Sequence, residues 1–357
     1  MENTKIRVAI AHGDTNGVGY EQILKTFDEP AMMELCTPIV YGSSKVAAFH
    51  RKTLNMQTQY TVIAQSEEAK ENRLNLLNTI EGDVKVDFGQ PSPEANEAAR
   101  VALKRAIQDV QQGMADVLVT APDCLPDFLA KEQEVLKVYL TGDLRVAMVN
   151  SQQTVKDVAN AISVQQVVDK ALILRTCLQR DLRISNPRIA VMALNQPGEE
   201  EQWGEVEQTV IIPAIEELEQ KGVQAFGPYV ADRFLEAGNL PKFDAVLVMG
   251  YDQGMALIDS LATSDCVCLM TGMPFVWTCP KTSVQFDIAG KGIADENPLR
   301  QAVYLAVDVV RNRRAYDAPL KNPLPKLYKE KRDDSEKVRF AVPKSKETKQ
   351  VETEKNE

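Results

Sequence analysis

The chain has 357 residues, a length that suits two α/β domains and excludes a small disulfide-stapled module. Hydrophobic residues make up 44% and charged residues 26%, which excludes wholesale disorder and a membrane bundle. With 41 Lys plus Arg against 51 Asp plus Glu, the net charge of −10 argues against a nucleic-acid surface, since phosphate contacts need clustered cations. In chain order, short runs rich in Val, Ile and Leu alternate with longer helical patterns, which predicts an α/β protein of parallel strands joined by crossover helices. Strands are expected at Arg7–Ala11, Thr37–Tyr41, Val117–Val119, Arg145–Val149, Arg188–Met192, Ala245–Met249 and Val267–Met270. Helices are expected at Gly19–Phe27, Ser44–Lys52, Glu94–Gly113, Ser163–Leu182, Gly204–Lys221 and Asn297–Arg313. Ser92 is placed to cap the third of these helices, Pro93 suits its first turn and Gly113 its end. From Lys326 onward, 10 Lys/Arg and 8 Asp/Glu with few large apolar side chains predict a solvated, disordered tail.

The six cysteines (Cys36, Cys124, Cys177, Cys266, Cys268, Cys279) lack zinc or redox spacing and sit in apolar runs, so they read as reduced core thiols. The apolar stretch after Lys5 is too short for a signal sequence, and no segment approaches a membrane span. A cytoplasmic protein is expected. Histidine is scarce: only His12 and His50 occur, so nothing beyond residue 50 offers an imidazole. His12 closes the first strand, either as a base facing a cleft or hydrogen-bonded to a neighbouring carbonyl; His50, beside Arg51 and Lys52, is expected at the surface.

Two glycine motifs stand out. Gly13-Asp14-Thr15-Asn16-Gly17-Val18-Gly19 joins the first strand to the first helix, where glycine permits either a sharp turn or close approach to an anion at the helix N-terminus. Asp287-Ile288-Ala289-Gly290-Lys291-Gly292-Ile293-Ala294-Asp295 leads into the last helix, and such a loop can lie close against a flat ligand, with Asp295 accepting from a ribose or base.

This second stretch resembles the adenosine-binding loop of the β-decarboxylating dehydrogenases, such as isopropylmalate dehydrogenase, and of the related 4-hydroxythreonine-4-phosphate dehydrogenase family of vitamin B6 synthesis. The wider pattern is similar to the second family. Gly13-Asp14-x-x-Gly17-x-Gly19-x-Glu21, Val119-Thr120-Ala121-Pro122, Leu194-Asn195 with Gly198-Glu199, Trp203-Gly204-x-x-Glu207, Gly227-Pro228-x-x-Ala231-Asp232 and Asp252-Gln253-Gly254 follow its motifs in order, over about residues 6–313. The resemblance implies two α/β/α lobes with a central cleft, as in isocitrate and isopropylmalate dehydrogenases. The first lobe would take residues 1–120 plus 297–320 and the second 121–296, ahead of a charged tail at 321–357. It implies a homodimer that oxidises a phosphorylated hydroxyamino acid with NAD, after which the β-keto acid decarboxylates. Asn195, Asp287, Gly290, Lys291, Gly292 and Asp295 are then the cofactor residues, and Asp252 and Gln253 the surviving catalytic candidates.

The family holds a divalent metal on three histidines. Their positions fall near Gln152, Pro197 and Tyr251, none of them histidine, which argues against a tight metal site. Magnesium shared between substrate oxygens and Asp252 is the remaining alternative. The family's phosphate-contacting Lys, Asn and Arg become Asp259, Cys268 and Trp277. Two readings follow. One is an oxidoreductase on a different substrate, with little metal help; the other is a non-catalytic dinucleotide- or ligand-binding homologue, including a dimer partner of an active copy.

Overall fold

A computed structural model of the chain describes residues 5–80, 82–122, 135–150, 155–198, 202–236, 238–261 and 265–322. By its contacts the chain divides into a unit Met1–Ala318 and a short unit Pro319–Glu357. The predicted charged tail and Cys124 lie outside the described residues.

Among the described residues, twelve strands form one sheet: β1 Arg7–Ala11, β2 Thr37–Gly42, β3 Tyr60–Ile63, β4 Leu74–Asn78, β5 Val117–Thr120, β6 Leu136–Thr141, β7 Leu144–Met148, β8 Arg188–Met192, β9 Gln224–Tyr229, β10 Ala245–Val248, β11 Val267–Thr271 and β12 Val276–Pro280. Their order is β3-β4-β2-β1-β5-β12-β11-β6-β7-β10-β8-β9. Among the described residues, ten helices accompany them: α1 Gly19–Thr26, α2 Pro30–Leu35, α3 Ser44–Thr53, α4 Pro93–Gln111, α5 Val155–Ala161, α6 Val164–Thr176, α7 Ile212–Gln220, α8 Ala231–Glu236, α9 Tyr251–Leu261 and α10 Asn297–Lys321. Ser92 caps α4 as expected, its hydroxyl accepting from the Ala95 amide. The fold is α/β with a large central sheet.

The expectation of parallel pairing holds at both ends of the sheet and fails in the middle. β12–β11, β11–β6 and β6–β7 are antiparallel. The reason is connection length: Gly142-Asp143 joins β6 to β7 with Gly142 at φ 52°, and such a turn has no room for a crossover helix. The strands missed in the sequence are β3, β4, β6, β9 and β12, of four to six residues. β9 carries Gly227-Pro228, which reads as a breaker, and it is tolerated because β9 lies at the sheet edge.

The seven predicted strands are largely apolar because both faces are covered, and Val8, Ile10, Val117, Val119, Val191 and Leu247 are fully buried. The helices predicted at Ser163–Leu182 and Gly204–Lys221 contain single π-helical turns, Cys177–Asp181 and Glu207–Ile211. The first places Asp181 against Arg313 of α10 in a buried bidentate ion pair of 2.7 and 2.9 Å. Cys36, Cys177, Cys266, Cys268 and Cys279 are buried thiols.

Candidate functional site

The glycine turn after β1 is built by protein approaching protein. A Cβ at Gly13 would meet the Pro122 carbonyl, one at Gly17 the Val284 side chain, and one at Gly19 the His12 carbonyl oxygen. Steric need within the chain therefore accounts for all three glycines. The Asp14 carboxylate accepts from the Asn16 amide at 2.7 Å, and burial raises the Asp14 pKa against the pull of that bond. Asn16 in turn donates to the Gln90 carbonyl and accepts from the Asp87 amide, tying the turn to the segment before α4.

Both histidines lie beneath this turn. His12 stacks on Tyr20 at 4.7 Å, and Tyr20 lies 5.1 Å from the His50 ring. His50 is fully buried, so its expected surface position is corrected: α3 turns it inward, and its Nε2–H donates to the Thr15 carbonyl at 2.9 Å. The neighbouring Gly13 backbone favours the charged His12 imidazole, against the larger effect of its burial. Burial pushes both imidazoles down to about 4. They pack as neutral aromatic rings, and Tyr20, its phenol held well above the ordinary range by burial, accepts from the Ser43 amide.

The loop around Gly290 docks on α1. The Lys25 ammonium donates to the Gly292 and Ala294 carbonyls at 2.9 and 2.7 Å and to Glu21 at 2.8 Å. Glu21, 1% exposed on its side chain, accepts from the Ala294 amide, and Gln22 donates to the Asp295 carbonyl. Val18, Ala289 and Ala294 pack together with Phe88 and Ile288 against them. Gly290, at φ 77°, passes so close to Phe88 that no side chain fits, whereas a Cβ at Gly292, at φ 72°, would meet only the Leu54 side chain in ordinary contact at 3.9 Å. Asp287, Lys291, Gly292 and Asp295 are exposed, and Asp295 accepts from the Asn297 amide at the start of α10.

At the other side of the sheet, Asn195 and Gln253 hold backbone. The Glu207 carboxylate, fully buried, accepts from the Leu194 and Asn195 amides at 3.0 and 2.8 Å and lies 3.4 Å from the Asn195 side-chain nitrogen. Gln253 accepts from the Met249 amide and donates to the Ala193 carbonyl at 2.7 Å, so it locks the end of β10 to the end of β8. Asp252 and Tyr251 are exposed on the first turn of α9. Sequence reasoning missed Glu207, Lys25 and Gln22 as organising residues; the signal for Glu207 was its place in the Trp203-Gly204-x-x-Glu207 motif.

The positions expected at a substrate phosphate lie in two places. Asp259, at the end of α9, pairs with Lys281. Cys268 and Trp277 lie on the adjacent strands β11 and β12, 3% and 1% exposed, in one apolar cluster with Ala9, Tyr41, Leu118 and Met270. The Trp277 indole N–H donates to the Thr120 hydroxyl.

A three-imidazole metal centre does not fit this donor set. Both histidines are committed to the stack under the turn, and among the described residues no group of three His, Cys, Asp or Glu side chains is placed to hold an ion. Gln152 lies outside the described residues.

With this geometry in place, comparison with known proteins is informative. The family model for the pyridoxal phosphate biosynthetic protein PdxA matches residues 34–306. A 4-hydroxythreonine-4-phosphate dehydrogenase of Bacteroides thetaiotaomicron is 44% identical, an alignment that covers 95% of this chain and 98% of that protein. The crystal structure of a 4-hydroxythreonine-4-phosphate dehydrogenase from Burkholderia phymatum superposes with a TM-score of 0.68 at 27% identity, covering 86% of this chain and 99% of its own. One from Klebsiella pneumoniae, at 22% identity and a TM-score of 0.72, covers 86% and 98% and shares the fold.

Proposed function

Because the chain belongs to the PdxA family of pyridoxal phosphate biosynthetic proteins, whose relatives are 4-hydroxythreonine-4-phosphate dehydrogenases, we propose that it is a divergent homologue that keeps a dinucleotide loop and has lost the metal-assisted oxidation. The observation that carries this reading is the burial of Cys268 and Trp277. Where the family resemblance calls for groups that reach a phosphate, this chain has two core side chains, and placing a phosphate there would require opening an apolar cluster. Asp259 adds a carboxylate, already paired with Lys281, where a cation would be needed.

The dinucleotide side rests on the loop geometry. Lys25, Glu21 and Gln22 fix the loop's backbone from beneath, leaving the Lys291 ammonium, the Asp287 and Asp295 carboxylates and the open edge at Gly292 for a nucleotide. Gln253 and Asn195 act on the strand ends, and Asp252 is the acid left facing solvent. NAD is the dinucleotide this reading favours, in a cytoplasmic homodimer.

The test is calorimetric titration with NAD and with NADP, each in the absence and presence of zinc or magnesium, followed by an assay for NADH formation from 4-hydroxythreonine 4-phosphate. The expected result is dinucleotide binding that metal does not alter, and no NADH. Metal-dependent binding with turnover would overturn the loss of oxidation; no NAD binding at millimolar concentration would overturn the retained loop.

A further inference from the structure

The two ends of the sheet are finished differently, and one of them is left open. We propose that two copies of this chain pair along β3, edge to edge and antiparallel, about a two-fold axis at Val62.

Strand β9 stands at one end of the sheet. Its Pro228 has no amide to offer a further strand, its pairing with β8 shifts register between Ala190 and Met192, and the Arg188 guanidinium lies over the Phe226 ring at 5.5 Å. Proline, a bulge and a charge are the devices by which an edge resists another strand. At the other end, among the described residues, β3 pairs with β4 alone. From Gln57 to Ser66 the chain carries no charge, no proline and no glycine, and Tyr60-Thr61-Val62-Ile63 is a run of strand formers. Val62, in the middle of it, is 50% exposed. An uncharged, regular edge of this kind is a template for another strand.

Charge selects a second copy as the occupant. At the start of β3 the Arg51 guanidinium lies over the Tyr60 ring at 5.2 Å, and past its end the Glu68 carboxylate accepts from the Ala64 amide at 3.1 Å. Neither side chain has an ion-pair partner among the described residues. The edge is therefore basic at one end, neutral along its length and acidic at the other. An antiparallel copy centred on Val62 sets Tyr60 against the partner's Ala64, so that Arg51 meets the partner's Glu68 at each end of the pair. A parallel copy would set Arg51 against Arg51 and Glu68 against Glu68. Opposed side chains in an antiparallel pair come within about 5 Å, so the two half-exposed Val62 side chains bury each other. Each copy offers one strand of four residues, and the association is accordingly weak, half complete on the order of 0.1 mM protein. It uses neither the loop docked on α1 nor the ends of β8 and β10, so it stands apart from the dinucleotide reading.

Val62→Cys is the direct probe, because the axis sets each new thiol against its own copy. Under mild oxidation at that concentration the variant is expected to give a covalent dimer on a non-reducing gel. The unaltered chain, whose Cys36, Cys177, Cys266, Cys268 and Cys279 are buried, and Phe226→Cys at the opposite edge are expected to stay at background. Light scattering gives a second reading: Val62→Lys is expected to lower the mass of the unaltered chain towards half. Arg51→Glu and Glu68→Lys are each expected to associate about tenfold more weakly alone and to recover when mixed in equal amounts, since only the mixed pair has opposite charges at both ends. A role for either residue inside its own chain would give no such recovery. Far-UV circular dichroism checks that the variants are folded, and amide exchange in residues 60–64 of the unaltered chain is expected to slow as protein concentration rises. No covalent dimer above background, equal mass for Val62→Lys, or a mixture no better than its parts would overturn the proposal. Exchange that does not change with concentration would show the edge covered within its own chain, and would overturn it too. Each measurement is made without NAD, so failure here and failure of the dinucleotide reading are separate results.

Discussion

The glycine turn after β1 and the β11–β12 pair both carry positions at which the family pattern can be followed, and the two have gone opposite ways. At the turn, Gly13, Gly17 and Gly19 are kept, and each is pressed by another part of the chain. At β11–β12, the positions expected to face a phosphate have become Cys268 and Trp277, packed among apolar neighbours. A motif residue that holds backbone against backbone stays under constraint from folding alone. One that serves only a ligand is free to become core once the ligand is no longer bound.

The sharpest way to break this comparison is at Trp277. Trp277→Ala is expected to lower stability by about 4 kcal/mol in urea titration, the loss typical of emptying a large core site. Trp277→Arg, which supplies the cation the family pattern calls for, is expected to destabilise at least as much without gaining phosphate affinity. A folded Trp277→Arg protein that binds inorganic phosphate would show that the site is dormant rather than filled.

Acid should expose the turn next. Because both imidazoles titrate near 4 in the fold and near 6.5 when unfolded, the unfolded chain takes up more protons between those values. Stability is therefore complete above pH 6.5 and falls as the pH drops towards 4, by about 3 kcal/mol for each imidazole. Asp14, raised by burial, acts in the opposite sense over its own range. A thermal midpoint that stays flat from pH 7 to 4 would contradict neutral, buried histidines.

Smaller effects separate steric glycines from conformational ones. Gly19→Ala, forced against the His12 carbonyl, should lose about 2 kcal/mol, whereas Gly292→Ala, meeting only ordinary contact with Leu54 but at positive φ, should lose about 1 kcal/mol. Equal losses would mean that the turn yields where the packing says it cannot. Smallest of all, Lys25→Met should lower global stability by about 1 kcal/mol while speeding amide exchange in residues 290–295, since the ammonium holds two loop carbonyls.

Much of the fold was legible because apolar runs bounded by Gly, Pro or Asn mark buried strands, and Arg7–Ala11 and Arg188–Met192 fall where the pattern puts them. The edge strands β3 and β9 were not, since one is half-exposed and the other contains a proline. The cysteines Cys36, Cys177, Cys266, Cys268 and Cys279 are buried, as expected of core thiols. His50 was misplaced because its flanking cations face solvent while the ring turns under Thr15, a direction set by a contact 35 residues away.

The sequence by itself determined that one chain cannot supply a three-histidine centre, because it carries two imidazoles. It also determined an α/β fold with a glycine turn after the first strand. Only the tertiary structure decided what those features do. Distant segments had to meet before the glycines became contact points, the histidines became a buried stack, and Trp277 joined an apolar cluster with Ala9, Tyr41 and Leu118. Each of these depends on strands and helices far apart in the chain lying side by side, which local pattern does not encode.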